Sequence, residues 1–400
     1  MGKGTKSATK SAKKTATKTA TKTTKLAVFI PREVVEGETR GAGTPETIKT
    51  LIQHGLAVYV ETSAGLGASI SDQDYMQAGA VIGKDANALY ASADIILAAN
   101  PPTLSQLSSV KAGASWISLG DVHALSPDIL STFLDKKITF FSMHGIPRIS
   151  KAQSMDALTS QANISGYKAV ILAAQELGKV FPLMMTAAGT LHPAKVVVLG
   201  AGVAGLQAIA TAKRLGAVVE ASDVRPTVKE QVESLGAKFI EVPFDKDAEA
   251  QGGYAKGASP AFLKRQAEEV GKRIAQADIV ICTALVPGKK APTLVTEAMV
   301  QSMRPGSVIV DMAAIQGGNC ALTAPGKSIV VHGVKILGVN NIPATVPVHA
   351  TQVYARNVLA FLLHLLRAGL HAGALKIDLK DEIIAGSLVT HNGKFLRGEQ

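Results

Sequence analysis

The stretch AKVVVLGAGVAGLQAIATAKRLGAVVEASD, residues 194–223, constrains the fold of this chain more than any other. Val196, Val197 and Val198 form a β-branched run, and Gly200, Gly202 and Gly205 follow in G-x-G-x-x-G spacing. An apolar helical pattern then leads to a second strand that ends on Asp223. Each part has a physical job in holding a dinucleotide. Gly200 permits the tight turn out of the strand, Gly202 lets backbone N–H groups approach a pyrophosphate, and Gly205 lets the helix pack closely on the sheet. The phosphates then sit at a helix N-terminus, where unpaired N–H groups and the helix dipole favour anions. Asp223 falls 23 residues after Gly200, close to the ~20 at which an acid accepts hydrogen bonds from the adenosine ribose. A glycine-rich turn without a ligand has no need of that acid.

Four hundred residues suggest two or three domains at roughly 100–200 residues each. The two cysteines, Cys282 and Cys320, lie in apolar or glycine-rich settings. No disulfide framework is expected, and a reducing, cytosolic setting is the simpler reading. The formal charge of +11 would by itself raise nucleic-acid binding, but residues 1–25 hold eight lysines and no acid, which leaves +3 for the rest. No nucleic-acid partner is expected. That Lys/Thr/Ala tail (1–25) lacks the bulky apolar residues needed to fold, so we expect it to be disordered. It has neither the apolar core of a signal peptide nor the arginines of a transit peptide. A merely solvated tail and one that touches an anionic membrane surface or RNA are both open readings. No segment reaches the ~20 apolar residues of a bilayer span. Val358–Leu366 is read as a buried helix face, and the chain is expected to be soluble without direct membrane insertion.

The ordered part opens with a strand at Leu26–Ile30 and a loop holding Arg32, Glu36 and Arg40. Thr44 reads as an N-cap with Pro45 at the first helical position, and Gly55 as the stop. Further strands are expected at Ala57–Glu61, Ile95–Ala98, Trp116–Leu119 and Ile138–Phe141, with helices between them. A second run is expected at Val196–Leu199, Val218–Ala221, Phe239–Val242, Ile279–Thr283, Ser307–Asp311 and Lys335–Val339. The fold class that follows is α/β: two Rossmann-like, doubly wound parallel-sheet domains joined by two long helices. We expect one domain over 26–149 plus 368–400, linking helices over 150–180 and 348–367, and a Rossmann NAD-binding domain over 181–347. The cofactor cleft should lie between the domains. Residues 244–262 lose periodicity and read equally as a plain connection or as a lid that excludes water.

Residues 148–168, RISKAQSMDALTSQANISGYK, hold a second constellation. A helix is expected to begin a few residues after Arg148, with Gln153 and Asp156 three apart on one side of it. Arg148 offers a fork of donors, Gln153 an amide and Asp156 a carboxylate, a set able to pin a nicotinamide carboxamide and its ribose. By composition alone, an ordinary surface helix with polar residues at helical spacing is the favoured reading.

The segments PRISKAQSMDALTSQANISGYKAV, TAAGTLHPAKVVVLGAGVAGLQAIATAKRLGAVVEASDVRP and VNNIPATVPVHATQVYARNV resemble the NAD(H)-binding component of proton-translocating NAD(P) transhydrogenases, a likeness running from about Leu26 to Gly393. The chain is similar, more distantly, to alanine dehydrogenase. The resemblance implies that Arg148, Gln153 and Asp156 stand beside the nicotinamide, with Gln153 facing a partner's nicotinamide. Thr159 stands where the family often has serine. Gly202 and Val203 match the phosphate-binding turn, and Asp223, Val224 and Arg225 the adenosine ribose contacts. Gly253 and Tyr254 match a mobile loop, Gln266 a nearby contact, and Leu285 a strand end near the adenosine. His144 departs from the family, which usually has an acid there. The resemblance further implies NADP(H) held on a partner component, a membrane-spanning subunit that couples the reaction to proton movement, and a homodimer.

Residue chemistry separates the two enzymatic readings. An amino-acid dehydrogenase needs a lysine and a histidine in its cleft. The family's lysine precedes a proline at a strand end; here the matching stretch, Ile95–Pro101, reads IILAANP and holds none. Arg40 resembles the dehydrogenase arginine that grips a substrate carboxylate, and His123 is a poorly placed acid–base candidate. Direct transfer between two nicotinamides needs no acid–base group, only approach and orientation at roughly 3–3.5 Å. Asp223 at the strand end favours NAD over a 2′-phosphate. A non-catalytic NAD sensor is the remaining alternative.

Overall fold

The computed structural model of the chain describes Gly2 and residues 25–122, 125–242, 260–286, 288–371 and 374–397. Two large sheets organise it. The first contains β1 (Ala27–Ile30), β2 (Ala57–Glu61), β3 (Val81–Gly83), β4 (Ile95–Leu97), β5 (Ser115–Ser118) and β6 (Thr139–Ser142), all parallel. The inner strands β4, β5 and β6 are buried along their whole length, as short apolar runs covered on both faces should be. Toward one edge, β2 alternates buried and half-buried residues. A small separate hairpin, β7 (Met184–Thr186) with β8 (Gly189–Leu191), follows.

The second sheet contains β9 (Lys195–Leu199), β10 (Val218–Ser222), β11 (Lys238–Phe239), β12 (Ile279–Cys282), β13 (Val308–Asp311), β14 (Ser328–Val331) and β15 (Val334–Leu337). Its order is β11-β10-β9-β12-β13-β15-β14, the doubly wound arrangement with β14 added antiparallel at one edge. The order reverses between β9 and β12, and ligands of open α/β sheets bind at the carboxyl ends of strands at such a point. β16 (Leu370–His371) pairs with β17 (Ala374–Leu375). Then β18 (Leu388–His391) and β19 (Lys394–Phe395) extend the first sheet antiparallel beyond β6, in the order β19-β18-β6-β5-β4-β1-β2-β3.

Three differences from the sequence expectation have local causes. β3 is only three residues long, too short to show a period. β14 is joined to β15 by His332 and Gly333, both at positive φ (53° and 77°), the turn that two-residue hairpins require. The strand expected over Phe239–Val242 pairs only at Lys238–Phe239. The cap reading at Thr44 holds: its side chain accepts from Thr47 N and Thr47 reciprocates, with Pro45 opening the Pro45–Gln53 helix.

Two long helices, Ala157–Glu176 and Pro347–Arg367, tie the sheets together. Val358, Phe361, Leu362 and Leu365 are fully buried in the core of the first sheet. The Ala157–Glu176 helix starts in that core with Ala157 and ends in the second with Ala169, Val170 and Ala173. Among the described residues, no helix is long and apolar enough to cross a membrane.

Candidate functional site

Gly200 leaves β9 at φ +98°, and a Cβ there would come within 2.6 Å of Thr283 Oγ1 at the end of β12. That hydroxyl donates to the Gly200 carbonyl at 3.0 Å, closing the turn across the switch point. Gly205, on the first turn of the Val203–Arg214 helix, packs so closely that a Cβ would collide with the Gly200 carbonyl. Gly202 is the N-cap and makes no side-chain cap. Among the described residues a Cβ at Gly202 would meet nothing within 4 Å, so the helix N-terminus opens onto space of the kind an anion needs. Val203, the first helical residue, is exposed at that mouth.

Asp223 ends the neighbouring strand and points back at the turn: its Oδ2 accepts from Ala201 N at 2.7 Å. Arg225 closes on the same carboxylate, Nε to Oδ1 and a terminal nitrogen to Oδ2, each at 2.9 Å. These donors hold the Asp223 carboxyl below its ordinary pKa against the opposing effect of burial. Val224 lies half-buried between them. A cavity of about 450 Å³ adjoins Asp223, lined also by Lys229, Ile240, Val242, Phe262 and Gln266. Gln266 Nε2 donates to Ser222 Oγ at 3.1 Å, which ties the Pro260–Ile274 helix to the end of β10. Leu285 is exposed beyond the end of β12. Gly253, Tyr254 and His123 lie outside the described residues, as do nearly all of the basic tail and most of the 244–262 stretch.

The second constellation is built differently from the expectation. Ser150–Met155 is a 3₁₀ turn, and the α-helix starts only at Ala157 with Asp156 as its N-cap. Gln153 and Asp156 therefore do not share one helix. An acid that caps with its own side chain favours the break at that point: Asp156 Oδ1 accepts from Thr159 N at 2.9 Å and Oδ2 from Thr159 Oγ1 at 2.6 Å. Gln153 and Arg148 remain exposed, Arg148 on the preceding loop. Asn357 holds the turn from the other long helix, donating to Ser154 O at 2.8 Å and accepting from Ser160 Oγ at 2.6 Å. The Ala157–Glu176 helix also reaches the glycine turn, because a Cβ on Gly166 would collide with Ala204 O. Seven residues separate Thr159 from Gly166, about 10 Å along the axis, so one rigid helix spaces the two constellations.

A third group surrounds Arg40, which the sequence singled out without its acidic partners Glu33 and Glu38. Arg40 is buried, and its Nε and a terminal nitrogen donate to Glu38 Oε1 and Oε2 at 2.8 and 2.6 Å. Its other terminal nitrogen donates to Gln161 Oε1 at 3.0 Å. Asn100 Nδ2 donates to Glu33 Oε2 and Glu38 Oε2, both at 3.0 Å, and Asn341 Nδ2 to Glu38 Oε2 at 3.1 Å. The cluster thus joins β1, β4, β15 and the Ala157–Glu176 helix through the residues that follow or sit on them. Despite burial, Arg40 holds the Glu38 pKa down to about 2, while burial lifts Glu33 to about 7. No pattern in a single sequence marks Glu33 and Glu38 as inward-facing in a loop so rich in acids. Among the described residues, no group of three His, Cys, Asp or Glu side chains is placed to hold a metal.

Fold and site define a class: a two-sheet α/β protein carrying a dinucleotide-type glycine turn with its strand-end acid. The chain belongs to the alanine dehydrogenase/PNT family, whose N-terminal domain model matches residues 29–165 and whose C-terminal domain model matches residues 169–398. It is 47% identical over 376 residues to the first portion of the NAD(P) transhydrogenase subunit alpha of Rhodospirillum rubrum, covering 92% of this chain and 97% of that relative. A solved transhydrogenase from Sinorhizobium meliloti superposes with a TM-score of 0.84 at 44% identity, covering 92% of this chain and 99% of the other. A solved L-alanine dehydrogenase stands further off, with a TM-score of 0.78 at 27% identity and coverages of 93% and 97%. The resemblance read from the sequence motifs therefore holds, with alanine dehydrogenase as the more distant relation.

Proposed function

We propose that the chain is the NAD(H)-binding component of an NAD(P) transhydrogenase, active only with its partner subunits. When bound, NADH supplies a hydride to NADP⁺ held on a partner component, with Re/Si specificity. Gly200, Gly202, Val203 and Gly205 receive the pyrophosphate, and Asp223, Val224 and Arg225 the adenosine ribose. Gln266 and Leu285 flank the adenosine, and the family resemblance adds Gly253 and Tyr254 to the cofactor contacts. Arg148, Gln153, Asp156 and Thr159 orient the nicotinamide and leave one face open. Their work is positioning and exclusion of water, not proton transfer. The whole complex couples the reaction to proton translocation through a membrane-spanning subunit. This component acts as a homodimer, peripheral on the cytoplasmic side.

The observation that carries this reading is the open Gly202 mouth with Asp223 at the neighbouring strand end, while the buried Arg40 is already clasped by Glu38 and Gln161. An arginine so engaged has a carboxylate partner within the chain and supports transhydrogenation over an amino-acid substrate. Ala98, Ala99 and Asn100 where a dehydrogenase needs lysine point the same way. The test is NADPH formation from NADH and NADP⁺ by the purified chain mixed with an NADP(H)-binding component. Turnover of pyruvate plus ammonium by the chain alone would favour the dehydrogenase reading instead. NADH binding without turnover in either assay would favour a sensor.

A further inference from the structure

Granted the NAD(H) role proposed above, Asp223 has to accept hydrogen bonds from a ribose diol, yet its acceptor positions already have donors. An ionised carboxylate offers about four lone-pair positions. Here Oδ2 accepts from Ala201 N at 2.7 Å and from a terminal nitrogen of Arg225 at 2.9 Å. Oδ1 accepts from the Arg225 backbone N and from its Nε, both at 2.9 Å. The two backbone donors are fixed by the fold. Ala201 sits in the turn that Gly200 makes at φ +98°, and the Arg225 amide belongs to the Asx-type turn at the strand end. The guanidinium is the donor that can leave. Its side chain is 28% exposed while that of Asp223 is 6% exposed, so the acid is anchored and the cation covers it from the solvent side.

We propose that Arg225 is a displaceable placeholder: its guanidinium holds the diol-accepting face of Asp223, and a dinucleotide with free ribose hydroxyls must displace it to bind. The exchange gives up a cationic, bidentate fork for two uncharged hydroxyl donors, which bind the same carboxylate less strongly. Binding is thereby loosened, which suits a site that must release its cofactor at every turnover. A 2′-phosphorylated ribose has no hydroxyl donor at that position and cannot replace the guanidinium on Asp223. Arg225 therefore tunes the affinity of the site as well as contacting it.

The experiment compares NADH binding to the full chain and to Arg225→Gln by equilibrium titration, and follows the Arg225 Nε–H resonance of the wild-type chain by NMR as NADH is added. Glutamine cannot fork onto the carboxylate, so the variant should bind NADH about threefold tighter or better, the weakening imposed by the charge-assisted fork being gone. In the wild type, the Nε–H signal should move from its carboxylate-bonded position as the site saturates. Unchanged or weaker NADH binding in Arg225→Gln overturns the proposal. So does an Nε–H resonance that stays in place at saturation, whether or not the variant folds. In both cases NADH still binds, so the proposed function survives. A wild-type chain that binds no NADH sinks the function and this inference together.

Discussion

Glu38 clasps Arg40 through both carboxylate oxygens, at 2.8 and 2.6 Å, with the acid's side chain fully buried and the arginine's 7% exposed. The pair sits where strands of both sheets and the Ala157–Glu176 helix converge through Asn100, Asn341 and Gln161. Its role is to hold that junction. Arg40→Ala should cost about 3–5 kcal/mol, because it leaves a buried carboxylate without its cation. The double variant Glu38→Leu/Arg40→Met should lose much less, since no charge is stranded. Urea unfolding of the single and double variants checks this, and equal losses would argue against a stranded charge.

Glu33 and Glu38 make opposite contributions to pH dependence. Burial raises Glu33 from 4.5 to about 7 in the folded chain. The native state therefore binds its proton more tightly than the unfolded chain does. That contribution is complete below about pH 4.5 and declines through pH 7, by at most about 3 kcal/mol. Glu38, lowered to about 2, contributes stability above pH 4.5 that is lost as pH falls toward 2. Denaturant unfolding at pH 5 and pH 7.5 should show the wild type less stable at the higher pH in this respect. Glu33→Gln should flatten that slope; an unchanged slope would mean the carboxyl titrates normally.

The glycines of the turn separate folding from binding. Gly205→Ala forces a methyl into the Gly200 carbonyl and should destabilise the fold by about 1–3 kcal/mol. Gly202→Ala meets open space at φ −78°, so its stability should stay within about 0.5 kcal/mol of wild type. Its methyl intrudes where phosphate oxygens would approach, and NADH affinity should fall about tenfold. Thermal unfolding and NADH titration of both variants make the comparison.

Gln153 is exposed on its 3₁₀ turn and caps nothing. Gln153→Asn should slow transhydrogenation far more than it weakens NADH binding, because it shortens a positioning contact without removing the cofactor cradle. Steady-state rates with the partner component, set beside NADH dissociation constants, read the two effects. Equal losses in rate and affinity would refute a positioning role.

Much of the second sheet was legible because its strands are β-branched runs at the core of a doubly wound sheet, and because Gly200, Gly202, Gly205 and Asp223 stand at spacings set by local backbone geometry. The Thr44–Pro45 helix start was legible for the same reason: capping needs only neighbours in sequence. The break at Asp156 was harder. Its signal, an Asp three residues before Thr159, is real, but Gln153 and Asp156 also fit a continuous helix, and only packing against Asn357 distinguishes the two.

The sequence by itself determined the fold class, the glycine turn and its strand-end acid, since each depends on propensities and spacings within a few tens of residues. Tertiary structure alone decided that Glu33, Glu38 and Arg40 turn inward to meet Asn100, Gln161 and Asn341. The physical reason is that burial and charge pairing are set by what the rest of the chain brings alongside: the partners of Glu38 come from positions 62 and 303 residues away, and no local pattern encodes a neighbour at that distance.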